Sequence, residues 1–200
     1  MNVQISIPTT QSGLSAVAKV LDDVFGVVFP ATMFRVGFMH DLVRSDQLIL
    51  LAGSEEEPLG AILALRARNH VEMPDMAVAL RHQGRGIGRA LFGAMTQWAV
   101  DEGFREIQWS VSPANVNGVA AYLAYGGRIV GWIDNAYGVA SDAFYTGTTD
   151  RFRGAWRADK WPPAAESQLI HHEDHAQLRS LLLGGWHITG RRDDTYTVTR

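Results

Sequence analysis

Apolar and polar positions alternate at residues 3–7, where Ile5 and Ile7 mark a first strand. Leu14, Val17, Leu21 and Val24 then recur at helical spacing, with Ser12 placed as their cap. A second helix is expected over residues 31–44, with Met33, Phe34, Phe38 and Leu42 apolar. The run from Gln47 to Ala52 reads as a strand, Glu55-Glu56-Glu57-Pro58 as an exposed turn, and Leu59 to Arg66 as the returning strand of a hairpin. A further strand is expected from Val71 to Leu80. Next comes a long helix over about 87–102, because Ile87, Leu91, Ala94, Met95 and Trp98 fall on one stripe. Glu106 to Val111 reads as a strand with Ile107, Trp109 and Val111 on one face. A short Ala-rich helix at 115–125 is stopped by Gly126-Gly127. Strands follow at Arg128 to Ile133 and Phe152 to Trp156.

The segment Lys160 to Ala165 reads as a linker. Beyond it, Leu178, Leu181 and Leu182 mark a small helix. Trp186 to Thr189 and Thr195 to Thr199 read as a hairpin around residues 190–194. The expected organisation is a domain at 1–159 and a linker with a helix-hairpin extension at 160–200. A lone hairpin is too small to stand by itself. The extension is therefore expected to pack on the core or on a partner subunit, the latter as a homodimer. Strands and helices mix along the chain, so the fold class is α/β, an α+β mixed sheet.

With 200 residues and 46% hydrophobic content, the chain can bury one substantial core. Eighteen basic against 21 acidic residues, net charge −3, give no polyelectrolyte character, and nucleic acid is not an expected partner. The absence of cysteine excludes disulfides, thiolate metal sites and cysteine nucleophiles. No early apolar run is long enough for a signal peptide or a membrane span, so a cytoplasmic protein with no membrane partner is expected.

Chemistry concentrates where the strand before residue 80 meets the long helix. Gly84, Gly86 and Gly88 occupy alternate positions. Glycine permits positive φ and lets a ligand approach the backbone without a Cβ in the way. Successive N–H groups then form a concave anion nest, and the helix start adds its own N–H groups and dipole. Arg85 and Arg89 flank the turn and suit phosphate oxygens. A diphosphate is the natural guest. The Walker A pattern fails because no Gly-Lys-Ser/Thr follows, and the dinucleotide pattern fails because its third small residue would fall on Arg89.

Met76 through Leu91 resembles the core motif of the GNAT superfamily of acyltransferases, a strand followed by Arg/Gln-x-x-Gly-x-Gly/Ala and a helix. Gln83, Gly86 and Gly88 take the three defining positions. The element order over residues 3–156 is also similar to that family. The resemblance implies a central, mostly antiparallel sheet with splayed fourth and fifth strands flanked by helices, followed here by a small C-terminal αββ extension. It implies that Gln83, Gly84, Arg85, Gly86, Ile87, Gly88 and Arg89 cradle the pyrophosphate of acetyl-CoA or another acyl-CoA. It also implies that the strand at about 76–79 offers backbone groups, at Val78 and Ala79, to the pantetheine arm.

Asn115, Tyr122 and Gly126 fit the family's second signature, Asn-x7-Tyr-x4-Gly. In relatives the asparagine binds the pantetheine and the tyrosine hydroxyl lies near the thioester sulfur. Asn117 competes for the asparagine role and Tyr125 for the tyrosine role. Attack of an amine on a thioester gives a tetrahedral oxyanion and then a thiolate. A backbone N–H at Val78 or Ala79 suits the oxyanion, and Tyr122 suits the general acid. The attacking amine must first lose a proton. Glu72 matches a position where some family members carry a general base, and Asp75, His40 and His70 are further candidates. Regular alternation puts Glu72 and Asp75 on opposite faces, and Pro74 between them marks a possible bulge.

Ile107 to Pro113, Asn135-Ala136-Tyr137-Gly138 and Thr149-Asp150-Arg151 resemble a little-characterised bacterial GNAT subfamily, although Ser112 stands where its members carry Asp. In that alignment Asn117 is the matching asparagine. Arg151 is read either as a substrate-carboxylate ligand or as half of a structural ion pair with Asp150. His171 and His175 would share one helix face and hint at a metal if that segment is helical, but the simpler reading is Asp174 at a helix start. No metal is expected. The expected function is transfer of an acyl group, acetyl first, from acyl-CoA to a primary amine of a small molecule. The rivals are a catalytically weak CoA-binding regulatory domain, or an enzyme using another acyl group or reaction on the same scaffold.

Overall fold

The computed structural model describes residues 3–25, 36–136 and 150–200. The backbone divides into two compact units, Met1–Phe104 and Arg105–Arg200. The described residues show a mixed α/β fold.

In the first unit, four strands, β1 (Ile5–Ser6), β2 (Leu48–Gly53), β3 (Pro58–Arg66) and β4 (Val71–Val78), pair antiparallel in chain order. Helix α1 (Gln11–Phe25) buries Leu14, Val17 and Leu21, as the periodicity predicts. Its cap is Thr10, whose Oγ1 accepts from the Gly13 N–H at 3.0 Å. Ser12 lies inside the helix and donates to Glu55, so the expected cap was two residues late. Helix α2 spans Val36–Arg44, and residues 31–35 of the expected helix, with Met33 and Phe34, fall outside the described residues. Its buried pair is Met39 and Leu42, whereas Phe38 is exposed. These two helices share a core with Ile49, Leu51, Ala61, Leu63 and Ala77.

Helix α3 (Ile87–Asp101) packs on the other face through Ile87, Leu91 and Met95, extended by Phe92 and Ala99. Gly60 is required for that approach. A Cβ there would sit 2.9 Å from the Ala77 carbonyl oxygen and 3.0 Å from Leu91. Arg66 ties β3 to the end of α3, lying 4.9 Å from the Trp98 ring centroid and donating to Glu102 at 2.9 Å. Strand β4 stops at Val78 rather than Leu80. Leu80–His82 form one tight turn of helix, and Leu80 is 73% exposed.

The second unit contains β5 (Glu106–Val111), α4 (Val116–Ala124), β6 (Arg128–Ile133) and β7 (Arg151–Arg157). It continues with β8 (Ser167–His171), α5 (His175–Leu183), β9 (His187–Arg192) and β10 (Thr195–Thr199). Its strands lie in the order β5-β7-β6-β9-β10-β8, all antiparallel. Trp109 is wholly buried over two glycines, since a Cβ at Gly154 or Gly127 would come within 2.2 Å or 2.5 Å of its ring.

The tail departs from the expected αββ order. Strand β8 precedes the helix and pairs along five residues with β10. Only Ile170 of β8 is buried, so its place comes from backbone pairing and leaves no hydrophobic alternation to read. The β9–β10 turn is tighter than the expected 190–194, because Arg191 and Arg192 still pair with Tyr196 and Thr195. Ile129 of β6 pairs with Ile188 of β9, which joins the tail strands to the sheet of this unit.

Candidate active site

The glycine turn follows directly from β4 and the tight turn after it. Gly84 and Gly86 adopt φ of +74° and +83°, and a Cβ at either would meet nothing within 4 Å. Both face open space in the left-handed region that glycine tolerates best. Gly86 caps α3 with no side chain bonded to the helix start. The first N–H groups of a helix have no partner within it, and a glycine cap leaves room for an external acceptor. Gly88 and Ile87 are buried as the first residues of α3 and serve the packing of the helix. Arg85 and Arg89 are exposed beside the turn. Gln83 turns back on the strand, its Nε2 donating to the Val78 carbonyl at 3.1 Å, and so fixes the exit of the turn. These donors, open cradle and flanking cations fit a pyrophosphate-bearing cosubstrate.

The two oxyanion candidates separate. The Ala79 N–H donates to the Leu59 carbonyl at 2.9 Å and is spent on the sheet. By the alternation of an antiparallel ladder, the N–H of Val78, opposite Gly60, points away from β3.

The carboxylates of β4 are placed by a bulge. Leu63 pairs with Asp75 and Leu65 with Glu72, with a register shift between them. Leu63 and Leu65 are two residues apart and share a face, so their partners share it too. Pro74, exposed and without an N–H, sits in the extra turn of chain. Regular alternation would have opposed the two acids, and the bulge corrects that expectation. Burial pushes the Asp75 carboxyl up to about 6. Glu72 is also raised by burial, but His70 at 3.5 Å pulls the other way. His40 is half-buried on α2.

In the second unit, Asn115 is the N-cap of α4, its Oδ1 accepting from the Gly118 N–H at 2.9 Å. Asn117 is exposed on the first turn of that helix. Tyr122 is only 9% exposed and lies against Trp109, ring centroids 4.8 Å apart. Tyr125 ends the helix. The glycines beneath Trp109 thus set the position of Tyr122.

Two side candidates resolve differently. Arg151 is buried and donates to its neighbour's carbonyl, at Asp150, at 2.9 Å, while Asp150 accepts from the Asn135 N–H. Tyr137, Gly138 and Thr149 fall outside the described residues. His171 ends β8 and His175 opens α5, so they do not share a helix face. Asp174 is the cap of α5, accepting from the Gln177 N–H at 3.0 Å.

The model of the acetyltransferase (GNAT) family matches residues 14–127. The chain belongs to that family. That family is one of acetyltransferases. An N-acetyltransferase 8B from Rattus norvegicus is 29% identical over 82 residues, which cover 38% of this chain and 37% of that protein. The matched segment is thus well under half the length of that curated relative. The solved structure of a nourseothricin acetyltransferase is 25% identical, with a TM-score of 0.50, covering 58% of this chain and 68% of that one. A putative acetyltransferase from Salmonella typhimurium, solved with acetyl-CoA, shares the fold at a TM-score of 0.64 and 16% identity. That match covers 83% of this chain and 100% of the other. Among the described residues, no helix is long and apolar enough to cross a membrane.

Proposed function

We propose that the chain transfers an acyl group, acetyl in the simplest case, from acyl-CoA to a primary amine of a small molecule. The amine attacks the thioester directly and passes through a tetrahedral intermediate. One observation carries the reading: β4, the strand that feeds the glycine turn, presents Asp75 and Glu72 on one face, with Asp75 raised to about 6. A carboxylate of that strength accepts an ammonium proton near neutral pH far better than an ordinary aspartate. A burdened acid of this kind favours an enzyme over a domain that only binds CoA.

In this scheme Asp75 is the base, and Glu72, held by His70, supports it. The Val78 N–H stabilises the oxyanion, and the Tyr122 hydroxyl protonates the departing thiolate. Gln83, Gly84, Arg85, Gly86 and Arg89 hold the pyrophosphate, and Asn115 or Asn117 meets the pantetheine. The nourseothricin acetyltransferase is named for its acceptor, which supports a small-molecule amine here as well.

The test is release of free CoA from acetyl-CoA across a panel of small amines, followed over pH. Asp75→Asn should lower kcat/KM by about 100-fold and abolish an acid limb centred near pH 6. A profile unchanged from wild type would remove Asp75 from the base role. No turnover with any amine, despite tight acetyl-CoA binding, would favour the binding-domain reading.

A further inference from the structure

A second charged surface is built wholly within the second unit. Arg128 of β6 pairs in register with Ala155 of β7, so Arg153 and Arg157 are its diagonal neighbours on the same face. Arg128 therefore stands between them, roughly 7–8 Å from each, while Arg153 and Arg157 are about 13 Å apart along β7. Arg153 lies over Gly131, where a Cβ would stand 3.1 Å from its Nε and Nη2. The guanidinium carbons of Arg128 and Arg157 lie 4.8 Å and 5.5 Å from the ring centroid of Trp161. His187 of β9 lies edge-on to the same indole at 6.0 Å.

The three arginines and the Trp161 indole of this cluster are donors only. Among the described residues, none of the three arginines has an ion-pair partner. Glu106, opposite Arg157, accepts from Gln108 instead. The Trp161 indole N–H is buried with no acceptor. Burial lowers the Arg128 pKa, and burial together with Arg128 and Arg153 lowers that of His187. One carboxylate, Glu106, faces three guanidiniums, so the group keeps a net positive charge whose cost an anion would relieve.

We propose that Arg128, Arg153 and Arg157, with Trp161 and His187, form a binding site for a small, multiply charged phosphate anion. The shape of the patch favours a small ligand over an acidic chain. Along β5 the same face carries Glu106, Gln108 and Ser110, and across β9 and β10 it carries Thr189, Thr197 and Thr199. On β7 Arg151 shares this face but is buried and bonded to the Asp150 carbonyl, which leaves Arg128, Arg153 and Arg157 as the accessible cations of β6 and β7. Guanidinium forks match tetrahedral phosphate oxygens, and together they offset much of the charge of a di- or triphosphate.

Inorganic triphosphate is the probe, titrated into the full chain while the His187 imidazole resonance is followed by NMR. Saturable binding should raise the His187 pKa, because the ligand neutralises the arginines that hold it down. Arg128→Gln and Arg153→Gln should each weaken binding about tenfold. The Gly86→Asp variant should retain it, which separates this site from the glycine turn. Arg153 is exposed, so its variant keeps the test valid if Arg128→Gln does not fold. No saturable response, a response unaltered in Arg153→Gln, or loss of the response in Gly86→Asp would each overturn the proposal. Equal affinity for citrate would overturn its assignment to phosphate.

Discussion

Gly86 shows how one residue can serve both fold and ligand. Its φ of +83° suits glycine, and the space beside its Cα is open. Any side chain there takes on left-handed strain of about 1–2 kcal/mol without a clash. Gly86→Asp should therefore fold with a modestly lower Tm, while calorimetry shows CoA binding weakened at least ~100-fold by the carboxylate facing a pyrophosphate. Unchanged affinity would move the donor away from this turn. Asn115 carries the opposite lesson. Its place in the second signature is legible in the sequence, but its carbonyl oxygen caps α4, a role that spacing alone does not reveal.

At the scale of elements, two placements depend on partners rather than on the local pattern. The bulge opposite Ala64 turns Asp75 onto the face of Glu72. Pro74 hints at it, but only the pairing with β3 shows which face results. Trp109 lies over Gly127 and Gly154, residues that come from two different parts of the sequence, and Tyr122 packs on that indole. Tyr122→Phe keeps the ring and hence the packing of α4. It should lower kcat by roughly 10- to 100-fold if the hydroxyl is the acid, with acyl-CoA affinity unchanged in equilibrium binding. Wild-type turnover would leave Tyr122 a packing residue only.

At the scale of the whole molecule, the raised Asp75 is a stability cost. An unfolded aspartate titrates near 3.8 and the folded one near 6, so the native state holds its proton more tightly. The contribution of Asp75 to stability is fully present below about pH 4 and is lost as pH rises through about 6. At about 1.4 kcal/mol per pKa unit the upper bound is roughly 3 kcal/mol, less what partial solvent access screens away. Burial-raised Glu72 acts in the same direction. Urea unfolding should find Asp75→Asn more stable than wild type at pH 7 and about equal at pH 4, even though it is the slower enzyme. A variant no more stable at pH 7 would mean that the carboxyl is not held above its ordinary range.

The sequence by itself determined the elements with strong apolar periodicity, including α1, α3, β5 and β6, because burying one face leaves a readable repeat. It also marked the glycine turn before α3, because left-handed backbone favours glycine at Gly84 and Gly86. Tertiary structure decided which carboxylate faces where, which backbone N–H the β3 pairing takes, and that β8 exists at all. Each of these rests on hydrogen-bond pairing between distant segments. Pairing uses the same backbone groups in every residue and leaves little trace in side-chain pattern. The arginine cluster has the same origin. Arg128 comes beside Arg153 and Arg157 only when β6 lies beside β7.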